Sequence, residues 1–64
     1  MSQDPLLTVE DVAKRLSVHV DSVRRWIRSG ELVALDLGGA AGYRIAQSEL
    51  DRFIRERLTR RKDT

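Results

Sequence analysis

Two apolar sets at helical spacing, separated by only three residues, constrain this chain more than any other feature. Val9, Val12, Ala13 and Leu16 fall at i, i+3, i+4 and i+7, and Val20, Val23, Trp26 and Ile27 form a second set beyond Ser17, Val18 and His19. Thr8 with Asp11 resembles a capping box with Asp in place of the usual Glu, so it opens the first helix, and Leu6 and Leu7 are expected to pack back on it as a staple. Ser29 and Gly30 close the second helix, glycine suiting the left-handed position just past a helix end.

Two short helices joined by a turn of about three residues are the helix-turn-helix pattern. On the second helix Val20, Val23, Trp26 and Ile27 share one sector, and Asp21, Arg24, Arg25 and Arg28 lie on the other side. The run Leu32–Leu37 is rich in strand formers, the loop 38–42 is rich in glycine, and Tyr43–Ile45 is a second short strand, which together predict a hairpin, or wing. From Gln47 a third helix is expected, with Leu50, Phe53, Ile54 and Leu58 on its core face. The expected fold is therefore mainly α with a small β-hairpin, a winged helix-turn-helix. Residues 1–5 read as a flexible N-terminus, 6–58 as the domain and 59–64 as a basic, flexible tail.

A chain of 64 residues is one domain with a thin core, too small for a deep catalytic pocket. It has no cysteine, so neither a disulfide nor a thiolate metal site supplements that core. Its carboxylates are scattered over helix surfaces and turns, its single histidine has no partner ligand, and the glycine loop lacks both the dinucleotide fingerprint and the Lys-Ser/Thr of a phosphate loop. No enzyme, metal or cofactor is expected. The N-terminus has no basic start followed by an apolar run and no stretch is long enough to span a membrane, which points to the cytoplasm.

The net charge is only +2, but it is unevenly spread. Lys14, Arg15, Arg24, Arg25 and Arg28 face one acid, Asp21, and the six basic residues from Arg52 to Lys62 face only Glu56. Ten of the twelve basic residues are arginine, whose planar fork suits phosphate and guanine. With the second helix in a DNA major groove, His19, Asp21, Ser22, Arg24, Arg25 and Arg28 are the candidate contacts. The three arginines fit guanine or phosphate equally well. Asp21 suits either a cytosine amino group or a structural role at the helix start, the latter favoured, and His19 suits the N-cap. Trp26 reads as a core anchor, Tyr43 as either a core residue or a phosphate contact, and Arg44 as a wing contact to minor groove or backbone.

The stretch from Leu6 to Leu58 resembles the short excisionase and MerR-type winged-helix DNA-binding domains. The resemblance rests on LLTVEDVAKRL, on SVRRWIRSGEL and on YRIAQSELDRFI, and its most specific block runs from Arg25 to Leu32. It implies a recognition helix in the major groove of double-stranded DNA, a wing on the adjacent backbone or minor groove, and cooperative binding to direct repeats. It carries roles onto Ser22, Arg24, Arg25, Arg28, Tyr43 and Arg44. Two biological roles fit it: recombination directionality factors and small transcriptional regulators similar to the BldC proteins. An integrase or RNA polymerase is the implied protein partner, with no small-molecule effector. The alternative is a protein-interaction module that binds a recombinase or regulator and touches DNA weakly. The departures are His19, where such proteins often have Ser or Thr, and the wing tip 39–42, which lacks the basic residues many relatives place there.

Overall fold

Helix α1 (Val9–Leu16) begins where the chain supplies its own acceptors. Thr8 Oγ1 accepts the N–H of Asp11 at 3.0 Å, and the Asp11 carboxylate accepts the N–H of Thr8 at 3.1 Å, so two amides that a helix start leaves unpaired are satisfied reciprocally. The helix ends at Ser17, which takes a left-handed conformation (φ 57°), and the N–H of Val18 donates back to Ala13 O at 3.0 Å. That reversal aims the chain into helix α2 (Val20–Ser29). Gly30, at φ 88°, ends α2; open space surrounds its Cα, so the backbone conformation rather than crowding calls for glycine there. The N–H of Leu32 then donates to Trp26 O at 3.1 Å, which turns the chain under α2 and buries Leu32 almost completely.

The structure, a computed structural model, describes residues 4–61. Besides α1 and α2 it contains strands β1 (Leu6–Leu7), β2 (Leu35–Asp36) and β3 (Tyr43–Ala46), and helix α3 (Gln47–Arg61). The strands form one antiparallel sheet in the order β1-β3-β2, with Leu6 opposite Ala46, Leu7 opposite Ile45, Leu35 opposite Arg44 and Asp36 opposite Tyr43. The helix-rich winged architecture is as the sequence predicts, but the sheet has a third strand. Leu6 and Leu7 are paired backbone rather than a staple, with Leu7 buried beside Ile45 and Leu6 left exposed on the other face. Strand β2 is shorter than the expected 32–37, because the turn after α2 draws Leu32 into the core. A single 3₁₀ turn (Gly39–Ala41) forms the wing tip, closed by the Leu37 N–H on Gly42 O at 2.9 Å.

Both ends of the domain differ from the sequence expectation. Helix α3 follows β3 without a loop, so its first amides need acceptors from elsewhere. Strand β1 brings them. Pro5 O accepts the Gln47 N–H at 2.9 Å, and the Asp4 carboxylate takes the Ser48 N–H at 3.1 Å and the Ser48 hydroxyl at 2.6 Å. Asp4 and Pro5, part of the stretch expected to be flexible, are thus fastened to α3, while residues 1–3 lie outside the described residues. At the other end α3 continues as helix to Arg61, three residues into the expected flexible tail, and residues 62–64 lie outside the described residues.

The core is Leu7, Val9, Val12, Ala13, Val23, Leu32, Ile45, Leu50 and Phe53, drawn from every helix and from two strands, with no buried polar or charged residue among those described. Trp26 is half-buried against it, its ring 5.0 Å from that of Phe53 at a 48° tilt. Leu58, expected on the core face of α3, is 61% exposed, because the helix outruns the core beneath it.

A domain of this size has a stability of about 3–10 kcal/mol, and emptying the site of Leu50 costs about 2–5 kcal/mol. Leu50→Ala is therefore expected to lower the melting temperature by about 10 °C or more, read from thermal melts of helical circular dichroism. The carboxyls of Asp4 and Asp11 are both held below the usual range, Asp4 by the Ser48 hydroxyl and amide and Asp11 by the Thr8 amide and hydroxyl. Each is depressed in the folded state, so its contribution is complete above the unfolded pKa of about 3.9 and is lost as pH falls through the lower folded value. The melting temperature is expected to be flat from pH 7 to 5 and to drop below pH 4, and the double variant Asp4→Asn/Asp11→Asn should show a shallower acid limb in the same melts.

Candidate nucleic-acid interface

Helix α2 presents Arg24, Arg25 and Arg28 to solvent on the side away from Val23, which is completely buried. Among the described residues no hydrogen bond or ion pair holds these three guanidinium groups. Other arginines are engaged: Arg15 donates to Gln47 Oε1 at 3.1 Å, Arg52 lies 3.6 Å from Glu49, and Arg57 pairs with Glu31. The outward side of α2 thus carries three positive forks with free donors on one helical surface, the chemistry that phosphate oxygens and guanine edges require.

His19 occupies the N-cap of α2, as its position in the turn suggests. Its Nδ1 accepts the Asp21 N–H at 3.2 Å, which in the neutral ring leaves the proton on Nε2, facing outward as a donor. The Asp21 carboxylate lies 3.7 Å from the same Nδ1, exposed at the positive end of the helix. Ser22 is half-buried, one residue from Val23, and its N–H donates to His19 O at 3.0 Å.

Wing and helix meet at a cleft. An open hollow of about 360 Å³ lies between α2, the wing and the start of α1, and brings together Arg24, Tyr43 and Arg44 from the sequence candidates. Its remaining walls are Thr8, Val9 and Glu10 and the wing residues Ala40, Ala41 and Gly42. The first turn of α1 was not among the sequence candidates. The capping pair at Thr8 and Asp11 marks where that helix starts, but only the folded arrangement shows that the start faces the wing. His19, Asp21, Ser22, Arg25 and Arg28 lie outside this cleft, further along the exposed side of α2.

Arg44 does more than reach outward. It is half-buried, and its Nη1 donates to Ala41 O at 2.6 Å and to Tyr43 O at 2.9 Å, so one arm of the guanidinium braces the wing tip from beneath. The residue also lines the cleft. Tyr43 is half-buried against the core and lines the same cleft.

The exit of α2 is tied down separately. The Arg57 guanidinium lies over Phe53 (4.3 Å from the ring centre) and beside Trp26 (5.7 Å) while it pairs with Glu31. The Ser29 hydroxyl and then Arg57 hold the Glu31 carboxyl below the usual glutamate range. Among the described residues there is no cluster of His, Cys, Asp and Glu that could hold a metal ion, and no helix long and apolar enough to cross a membrane.

No curated protein and no solved structure matches the chain significantly. A helix-turn-helix domain model does match, over residues 6–58, which includes α1, α2, the wing and most of α3. That span covers most of the chain, and the chain belongs to the helix-turn-helix family of small excisionase-like DNA-binding domains.

Proposed function

We propose that the protein is a sequence-specific binder of double-stranded DNA that lays α2 in the major groove and rests the wing on the adjacent backbone or minor groove. The observation that carries this reading is the set of unengaged guanidinium groups of Arg24, Arg25 and Arg28 on one exposed side of α2. Three exposed guanidinium groups with no hydrogen-bond acceptor among the described residues are available to a polyanion with acceptors on both backbone and base edges. His19 Nε2 adds a donor at the helix start, and Arg24, Tyr43 and Arg44 around the cleft supply the contacts where backbone passes from helix to wing.

In this reading the protein binds and does no chemistry, and it acts in the cytoplasm on chromosomal or phage DNA. Its role is that of a recombination directionality factor or a small transcriptional regulator, and a single domain of this size gains affinity by cooperative binding to direct repeats. Integrase or RNA polymerase is the partner each of those roles would recruit.

Selection from a random duplex pool, followed by fluorescence anisotropy on the enriched site, tests the reading. Arg24→Ala, Arg25→Ala and Arg28→Ala should each weaken binding by about 1–3 kcal/mol. A base-reading arginine should also relax preference at one position, whereas a phosphate-binding one should reduce the salt dependence, d log K/d log[salt], by about 0.9. If no sequence enriches on the folded protein, or if the triple variant binds as well as the parent, DNA recognition by this helix is wrong and the protein-interaction reading replaces it.

A further inference from the structure

The wing tip has no core beneath it. Residues 38–41 are exposed, and neither Ala40 nor Ala41 packs against the apolar cluster. Gly38, Gly39 and Gly42 all have positive φ, at 74°, 52° and 70°, and glycine has more backbone freedom to lose than any other residue. Hydrogen bonds must therefore hold the shape of the tip. Within the backbone the Leu37 N–H donates to Gly42 O at 2.9 Å and the Gly42 N–H to Gly38 O at 3.3 Å. Side chains reach it from both strands of the hairpin. On the β2 side the Asp36 carboxylate accepts the Gly38 N–H at 3.0 Å, and on the β3 side Arg44 Nη1 donates to Ala41 O and to Tyr43 O.

Arg44 is also the one cation between Arg28 and Arg52, and residues 37–42 carry no charge. Whatever the tip gives to a DNA contact comes from its shape and its exposed backbone, because it has no side chain that could seek a phosphate. Such a tip binds well only if it already has its bound shape, since ordering it on contact costs backbone entropy. Arg44 brings two separable properties to the wing. Its charge belongs to the cleft it shares with Arg24 and Tyr43, and its donors hold the tip. Carbonyl oxygens require the donors and not the charge.

We infer that Arg44 is a positioning residue for DNA recognition: its bonds to the carbonyls of Ala41 and Tyr43 preset the wing tip, and this contribution to affinity is independent of its positive charge. The role rests on the DNA-binding reading above and adds to it a part played without contact to DNA.

Two synthetic versions of the full chain test this, one with Arg44→Ala and one with citrulline in place of Arg44. Citrulline is uncharged but keeps a terminal nitrogen donor on a side chain of the same length, so the two variants differ in donors and not in charge. In chains made with isotope-labelled glycine, the heteronuclear NOEs of Gly38, Gly39 and Gly42 should match the parent with citrulline and fall with alanine. Gly30, which ends α2 outside the wing, should be unchanged in both. On the selected duplex the alanine chain should bind about tenfold more weakly than the citrulline chain, the cost of ordering roughly one residue. The two should share one slope of log K against log[salt], and the hydroxyl-radical footprint of the alanine chain should lose protection only at the flank under the wing. Equal affinity of the two variants, unchanged wing NOEs in the alanine chain, or protection lost over the whole site would each overturn the inference. The NOEs need no DNA, and a parent chain that enriches no site defeats the DNA-binding reading instead, so the two failures are told apart.

Discussion

The rest of the structure depends on the rotational setting of α2. Ten residues must give one side to a core that has no polar group in it and the other to solvent, and the setting is fixed at two points. Val23 is completely buried at the centre, and Trp26 rests on Phe53 near the end. A rotation by one residue position, about 100°, would carry an arginine toward that core and remove an apolar side chain from it. An unpaired charge in apolar surroundings costs several kcal/mol, a large part of the total for a domain this small. The outward display of the arginines is therefore a consequence of the apolar packing on the opposite side. Glu31 and Arg57 then hold the exit of α2 against α3, so the helix is fixed relative to the wing that shares its cleft.

Most of this was legible in the sequence because it repeats over enough residues to be read. The apolar positions of α1 and α2 recur three or four times at one spacing, and their caps are chemically specific: Thr8 with Asp11 at one start, Gly30 at one end. His19 is an unusual N-cap, but its place between two periodic runs identifies it, and its Nδ1 supplies the acceptor that Ser or Thr would otherwise provide. The arginine side of α2 follows from the same periodicity. The wing was legible as two strand-forming runs around a glycine loop, although the bounds of the first were not, since Leu32 has strand propensity and is nonetheless drawn into the helix exit.

What was not legible depends on partners far apart in the chain. Strand β1 has two residues, too few to display a period, and only the free edge of β3 makes it a strand. The contact of Asp4 with Ser48 spans 44 residues and involves two residue types found throughout any chain. Arg44 carries no sequence signal that would separate an arginine bracing the wing from one reaching for phosphate, because that depends on where the carbonyls of Ala41 and Tyr43 point after the turn has formed. Leu58 continues the apolar pattern of α3, and pattern alone cannot tell where the core stops.

The arginines show why composition understates this surface. A net charge of +2 is a poor argument for a polyanionic partner, and ten arginines among twelve basic residues are only a modest improvement. What decides the matter is engagement. Arg15 and Arg57 donate to Gln47 and Glu31 and so link separate parts of the fold, Arg44 donates to carbonyls within the wing, and Arg52 is ion-paired with Glu49 along α3. Arg24, Arg25 and Arg28 have the same side chain and no such acceptor among the described residues, and all three lie on a helix whose orientation is set by Val23 and Trp26 on its core side. A free donor on a fixed helix loses less orientational freedom on meeting an anion than one on a mobile segment. The surface proposed to bind DNA is thus marked by which arginines the fold leaves unpaired, a property that belongs to the folded arrangement and not to the count of charges.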